Sequence, residues 1–174
     1  AFEYADTKFE QSFAKLVKSK EEGGSGYTKI RRLRRDGNCF YRAFLFQMFE
    51  HYALHMQENK TQYEKLVKII EDSKDDLVKN AGYEEMVIED FYDVFLDHTK
   101  KLSKLQEQFD AQKEEETGIK IYEEYVHKHL MSALCNHEEA NYIIMYARFM
   151  AACHLKKNAI LFEDFLGTDI ATFC

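Results

Sequence analysis

Cys39 stands directly after an Asp-Gly-Asn turn in the stretch RRDGNCFYRAF, residues 34–44, and a helix-forming run of Phe, Tyr, Arg and Ala follows at once. That placement suits a nucleophile. The reactive form of cysteine is the thiolate, and a free thiol titrates near about 8.5. A sulfur in the first turn of a helix meets unpaired backbone amides and the positive end of the helix dipole, and both favour an anion. Lys29, Arg31, Arg32, Arg34 and Arg35 lie just upstream and add to the field. The same amides are placed to hold an oxyanion after attack on a carbonyl. Gly37 fits a backbone that must turn sharply and let a substrate come close. The competing reading is a small buried hydrophobe with Asp36 as the helix cap, the common situation of a lone cysteine.

A cysteine nucleophile needs a base, and each of the seven histidines can be weighed for that role. His51 and His55 are four apart on an expected helix, a zinc-compatible spacing, but Tyr52, Ala53 and Leu54 between them include no glutamate, so a solvated helix face is the better reading. His127 and His129 alternate on an expected helix and point apart. His98, His137 and His154 sit in helix-like surroundings with no strand context. No catalytic histidine is assigned in the chain, and no metal is expected. The cysteines at 39, 135, 153 and 174 show no CxxC spacing and no clustering, a pattern that suits a reducing compartment and points to the cytoplasm, with the nucleus as a second location.

The elements that must position these residues read as helices. The chain has 174 residues, no proline and seven glycines, with Glu, Lys, Leu and Ala abundant, so one mostly helical domain spanning 1–174 is expected. Helices are predicted over 1–20, from Cys39 to about His55, over 61–80, 86–109, about 119–135 and about 138–155. Phe40, Phe44 and Met48 mark one face of the second of these, Tyr63, Leu66, Ile69 and Ile70 that of the third, and Phe91, Phe95 and Leu102 that of the fourth. EEGGSG (21–26) reads as a flexible break, YTKIRRL (27–33) as a short strand or extended entry, and DAQKEEETG (110–118) as a solvated link. Residues 83–135 form a helical subdomain in this reading. A net charge of −7, with 24 Lys and Arg against 31 Asp and Glu, argues against a general nucleic-acid binder. No run reaches the 18 or so apolar residues that a bilayer requires, so no membrane partner is expected.

The flanks of Cys39 narrow the reading. RRDGNCFYRAF resembles the nucleophile motif of the ovarian-tumour cysteine deubiquitinases, and among them the otubains. GYEEMVIEDFYDVFLD (82–97) is similar to the otubain segment built around Glu-Asp-Phe. ANYIIMYARFMAACHL (140–155) resembles the family's long aromatic helix with its central arginine, here Arg148. LFEDFL (161–166) and IATFC are similar to the family's segment after that helix. The resemblance implies an α+β, papain-like fold, with the 174 residues themselves predominantly α-helical and carrying few short strands. It implies thiol chemistry: Cys39 attacks the isopeptide carbonyl after the C-terminal glycine of ubiquitin, and an acyl-enzyme forms that water hydrolyses. Asp36 matches the motif aspartate whose backbone helps shape the oxyanion site, and Gly37 and Asn38 match turn positions. The partners implied are ubiquitin and polyubiquitin chains, and a ubiquitin-conjugating enzyme for a non-catalytic role. No metal or small cofactor is implied.

One departure bears on the chemistry. The family's catalytic histidine lies near the domain's C-terminus, on a strand, with an acidic or amide residue two positions later. On that comparison the base and most of the sheet are expected beyond Cys174, and the chain, which starts at Ala1, is expected to be truncated. Helix faces that the sheet would cover are then expected to be apolar and exposed. Three rivals stand beside the enzyme: a non-catalytic module binding ubiquitin or its conjugating enzyme, nucleic-acid or nuclear-import recognition through KIRRLRR (29–35), and a helical scaffold, which leaves the Asp-Gly-Asn-Cys segment unexplained.

Overall fold

The backbone leaves the Asp36–Asn38 turn directly into helix α1 (Cys39–Leu54), whose buried side chains Leu45, Phe46, Phe49 and Ala53 recur at helical spacing. A computed structural model describes residues 11–12, 14–16, 18, 27, 31, 33–112, 121–135 and 137–173. Two units are distinguished, Ala1–Arg34 and Arg35–Cys174. In the first, residues 11–12 and 14–16 are helical, and the Tyr27 amide donates to the Leu16 carbonyl at 3.1 Å. Tyr27, Arg31 and Leu33 carry no strand; the rest of the expected 27–33 entry, the 21–26 break and most of the expected first helix lie outside the described residues.

The second unit continues with α2 (Lys60–Ala81), α3 (Glu85–Lys101), a 3₁₀ turn (Leu102–Lys104) and α4 (Leu105–Ala111). Then come α5 (Tyr122–Cys135), α6 (His137–Lys157), α7 (Ala159–Leu166) and α8 (Ile170–Phe173). Gly82 ends α2 at φ +74, as a left-handed residue after a helix should. The fourth expected helix, 86–109, breaks into α3, the 3₁₀ turn and α4; most of the 110–118 link lies outside the described residues. Among the described residues every regular element is helical. None of their helices is long and apolar enough to cross a membrane.

Helix α6 is the axis of the packing. It lies against α2 and α3, while α1 packs on α5. Tyr146 of α6 is fully buried, its ring 5.4 Å from that of Phe95 and 5.5 Å from that of Tyr92. Ser73 Oγ donates to the Ile70 carbonyl at 2.6 Å, so the Tyr146 hydroxyl is the donor in its 2.6 Å contact with Ser73. Burial pushes that phenol up to about 12.

The expected faces are partly corrected. Phe95, Leu102, Tyr63 and Ile70 are buried as expected, whereas Ile69 is 58% exposed. On α1 the face marked from sequence is only partly buried, with Met48 packed against the core. Phe40 is 70% and Phe44 54% exposed, their rings stacked 6.3 Å apart, while the opposite face enters the core. That buried face carries a cation, Arg42, which conceals its apolar character in the sequence.

Candidate active site at the start of α1

Three residues of turn precede the nucleophile candidate, and each is held differently. Gly37 is left-handed at φ +79, a conformation that costs an L side chain about 1–2 kcal/mol. A Cβ there would meet nothing within 4 Å, so glycine answers the dihedral angle rather than crowding. Before it, Asp36 accepts the Asn38 amide at 3.0 Å, a local turn of the kind aspartate favours. Asn38 then occupies the N-cap position.

The Asp36 carboxylate is also tied to α1 itself. Arg42 Nε donates to its Oδ2 at 3.1 Å and Nη2 to the same oxygen at 2.5 Å. Arg42 Nη1 donates to the Leu134 carbonyl at 2.9 Å, in the last turn of α5. A guanidinium suits that place, because the last carbonyls of a helix are unpaired and carry its negative end. The Arg42 side chain is only 4% exposed, so turn, α1 and α5 are joined by one buried cation.

Cys39 opens α1, and it is exposed. The buried-hydrophobe reading therefore fails. The first turn of α1 contains no acidic residue, and Asn38, although an asparagine at the N-cap, makes no side-chain cap. Its Oδ1 accepts instead from Arg148 Nη1 of α6 at 3.0 Å. The turn before Cys39 is thus bonded to α1 through Arg42 and to α6 through Arg148, and Arg42 in turn reaches α5. Sequence reasoning left the Arg42 and Arg148 contacts unfound. The available signals were a lone cation inside the apolar run YIIMYARFMAA and an arginine three places after the cysteine.

The described histidines stand away from the sulfur. A base must come within about 3 Å. His51 lies twelve residues along α1, roughly 18 Å at 1.5 Å per residue, and its ring is 5.3 Å from that of His55, which follows the helix. His127 packs 5.9 Å from the ring of Phe46, and His98 4.8 Å from that of Phe49, levels roughly 10 and 15 Å along α1 from Cys39. His129 stacks on His98 at 5.9 Å. His154 is six residues, roughly 9 Å, past Arg148 on α6, with its ring 6.1 Å from that of Phe162. His137 contributes no described side chain. No three of the described His, Cys, Asp and Glu residues gather as metal ligands.

Two of these histidines are buried in a way the sequence did not announce. His98 is 1% exposed, its Nδ1 3.9 Å from Glu139 Oε1, and the Nε2 atoms of both His98 and His129 are buried without a partner. Burial drives His98 down to about 4, helped by His129 and Lys101 and opposed by Asp97. His129 is lowered too, chiefly by burial.

Comparison with known proteins agrees with the motif around Cys39. The family model for peptidase C65, otubain, matches residues 2–174. Ubiquitin thioesterase OTUB1 of Homo sapiens is 27% identical over 150 residues, 85% of this chain and 46% of that protein. OVARIAN TUMOR DOMAIN-containing deubiquitinating enzyme 1 of Arabidopsis thaliana is 30% identical over 154 residues, 86% of this chain and 44% of its own. Ubiquitin thioesterase otubain-like of Caenorhabditis elegans is 30% identical over 150 residues, 85% and 45%. The chain spans about half the length of the curated relatives it matches. A mostly helical unit with a cysteine at the head of α1, matched from residue 2 to residue 174, belongs to the peptidase C65 otubain family.

Proposed function

We propose that the protein is a thiol-dependent deubiquitinase acting on ubiquitin conjugates and polyubiquitin chains through Cys39. The observation that carries this reading is the exposed sulfur at the uncapped start of a 16-residue helix, in a chain whose relatives are named ubiquitin thioesterases and deubiquitinating enzymes. The Cys39 thiolate adds to the carbonyl of the ubiquitin C-terminal glycine. The tetrahedral oxyanion is met by the Cys39 amide and the backbone around Asp36, with Gly37 and Asn38 shaping the turn. Collapse breaks the C–N bond, the lysine amine leaves with a proton from the base, and water then hydrolyses the thioester. That base is a histidine outside the described residues, carried with the sheet of a papain-like α+β fold in the full-length protein. Free thiols at Cys39, Cys135 and Cys153 suit a reducing, cytoplasmic setting.

A second reading is favoured by the distance of the described histidines from Cys39: a module that binds ubiquitin or a ubiquitin-conjugating enzyme without cleavage. One experiment separates the two. Full-length protein and its Cys39→Ala variant are incubated with diubiquitin and assayed for binding to ubiquitin. Cleavage lost in the variant with binding retained is the expected result. Binding by both with cleavage by neither selects the module.

A further inference from the structure

Asparagine at an N-cap ordinarily turns its side-chain oxygen onto the amide of the second or third helical residue, a contact that stabilises a helix by about 1 kcal/mol. Asn38 does not, because Arg148 holds that oxygen. The direction of the amide is settled by chemistry: arginine only donates, so Oδ1 faces Arg148 and the NH₂ group faces away. Arg148 is exposed on a stretch of α6 whose neighbouring aromatics are packed. Tyr146 before it is fully buried, and Phe149 after it packs at 4.9 Å on Tyr83 and 5.7 Å on Phe91. At the other end of the turn, Arg42 takes the Asp36 carboxylate, which is the remaining side chain of the turn able to fold back onto those amides. Two guanidiniums therefore hold the carbonyl-bearing side chains on either side of left-handed Gly37, with the Asp36 carboxylate reaching no further into the turn than the Asn38 amide.

We propose that Arg148 is a positioning residue that keeps the first-turn amides of α1 open for the charge that develops beside Cys39. It acts through Asn38 and touches no reacting atom. The inference rests on the deubiquitinase reading. In the Arg148→Met variant, Asn38 is released and caps the helix at the Phe40 or Tyr41 amide, which weakens the positive end that favours charge beside Cys39 while adding a stabilising contact. Activity and stability then move apart, which a merely structural arginine would not produce.

The test is steady-state kinetics of the full-length protein on a ubiquitin substrate with a fluorogenic C-terminal amide, with thermal melting alongside. Arg148→Met is expected to lower kcat about tenfold with KM within about twofold, and to leave the melting temperature unchanged or higher. Arg148→Lys, still a donor, restores most of kcat. Adding Asn38→Ala to Arg148→Met raises kcat again, since no cap can form. Unimpaired kcat in Arg148→Met overturns the inference while the function stands. So does a fall in kcat matched by a fall in melting temperature and not relieved by Asn38→Ala. A wild-type protein without turnover removes the deubiquitinase reading and this inference with it.

Discussion

At the scale of single residues, Arg42 does more for the turn than any side chain inside it. It is buried, it neutralises Asp36 and it satisfies a carbonyl at the end of α5. Arg42→Ala removes the ion pair from a partly buried carboxylate and the donor from the buried Leu134 carbonyl. A loss of about 2 kcal/mol is expected, less than for a fully buried pair because the Asp36 side chain is 28% exposed. Arg42→Lys recovers little, since one ammonium cannot reproduce a fork that serves two acceptors. Gly37→Ala is a purer probe, because the space for a methyl exists and only the dihedral angle resists it. It should cost about 1 kcal/mol or slightly more, with Gly37→Asn costing less, since asparagine tolerates left-handed backbone. Chemical denaturation checks both. A Gly37→Ala variant as stable as wild type would mean that the turn relaxes to a different conformation.

At the scale of elements, α1, α3 and α5 meet around two imidazoles that are held neutral. The groups facing His98 are Asp97 and Lys101 of its own helix, His129 of α5 and Glu139 of α6, with Phe49 of α1 against its ring. Its folded value of about 4 lies below the ordinary 6.5, so the unfolded chain binds the proton more tightly. The stability it contributes is complete above pH 6.5 and is lost as pH falls from about 6.5 towards 4, up to roughly 3 kcal/mol. His129, lowered as well, acts in the same sense. Urea titrations at pH 7 and pH 5 should show the decline, and His98→Phe should flatten it. An unchanged pH dependence in that variant would place the acid sensitivity elsewhere. The 3.9 Å approach of Glu139 does not reverse the sign, because burial of the imidazole outweighs it.

At the scale of the whole molecule, the helices were legible and their sides were not always. Spacing near 3.6 found α1, α2, α3, α5 and α6, and Gly82 marked the end of α2. The face of α1 was misread because both sides are apolar and the buried one carries Arg42. An isolated sequence gives no reason to bury a guanidinium until Asp36 and the Leu134 carbonyl are seen to meet it. The Asp-Gly-Asn-Cys turn was legible, since its residue types are local demands of backbone geometry. The Arg148 contact was not, because 110 residues separate it from Asn38 and no period links them.

The measurement that bears most directly on the role of Cys39 is the intact mass of the full-length protein after incubation with ubiquitin carrying a C-terminal electrophile. One ubiquitin should be added to the wild-type protein and none to the Cys39→Ala variant, with the modified peptide containing Cys39. A wild-type protein that remains unmodified, or one labelled equally after Cys39 is replaced, would contradict the claim that this sulfur, at the head of α1, is the nucleophile.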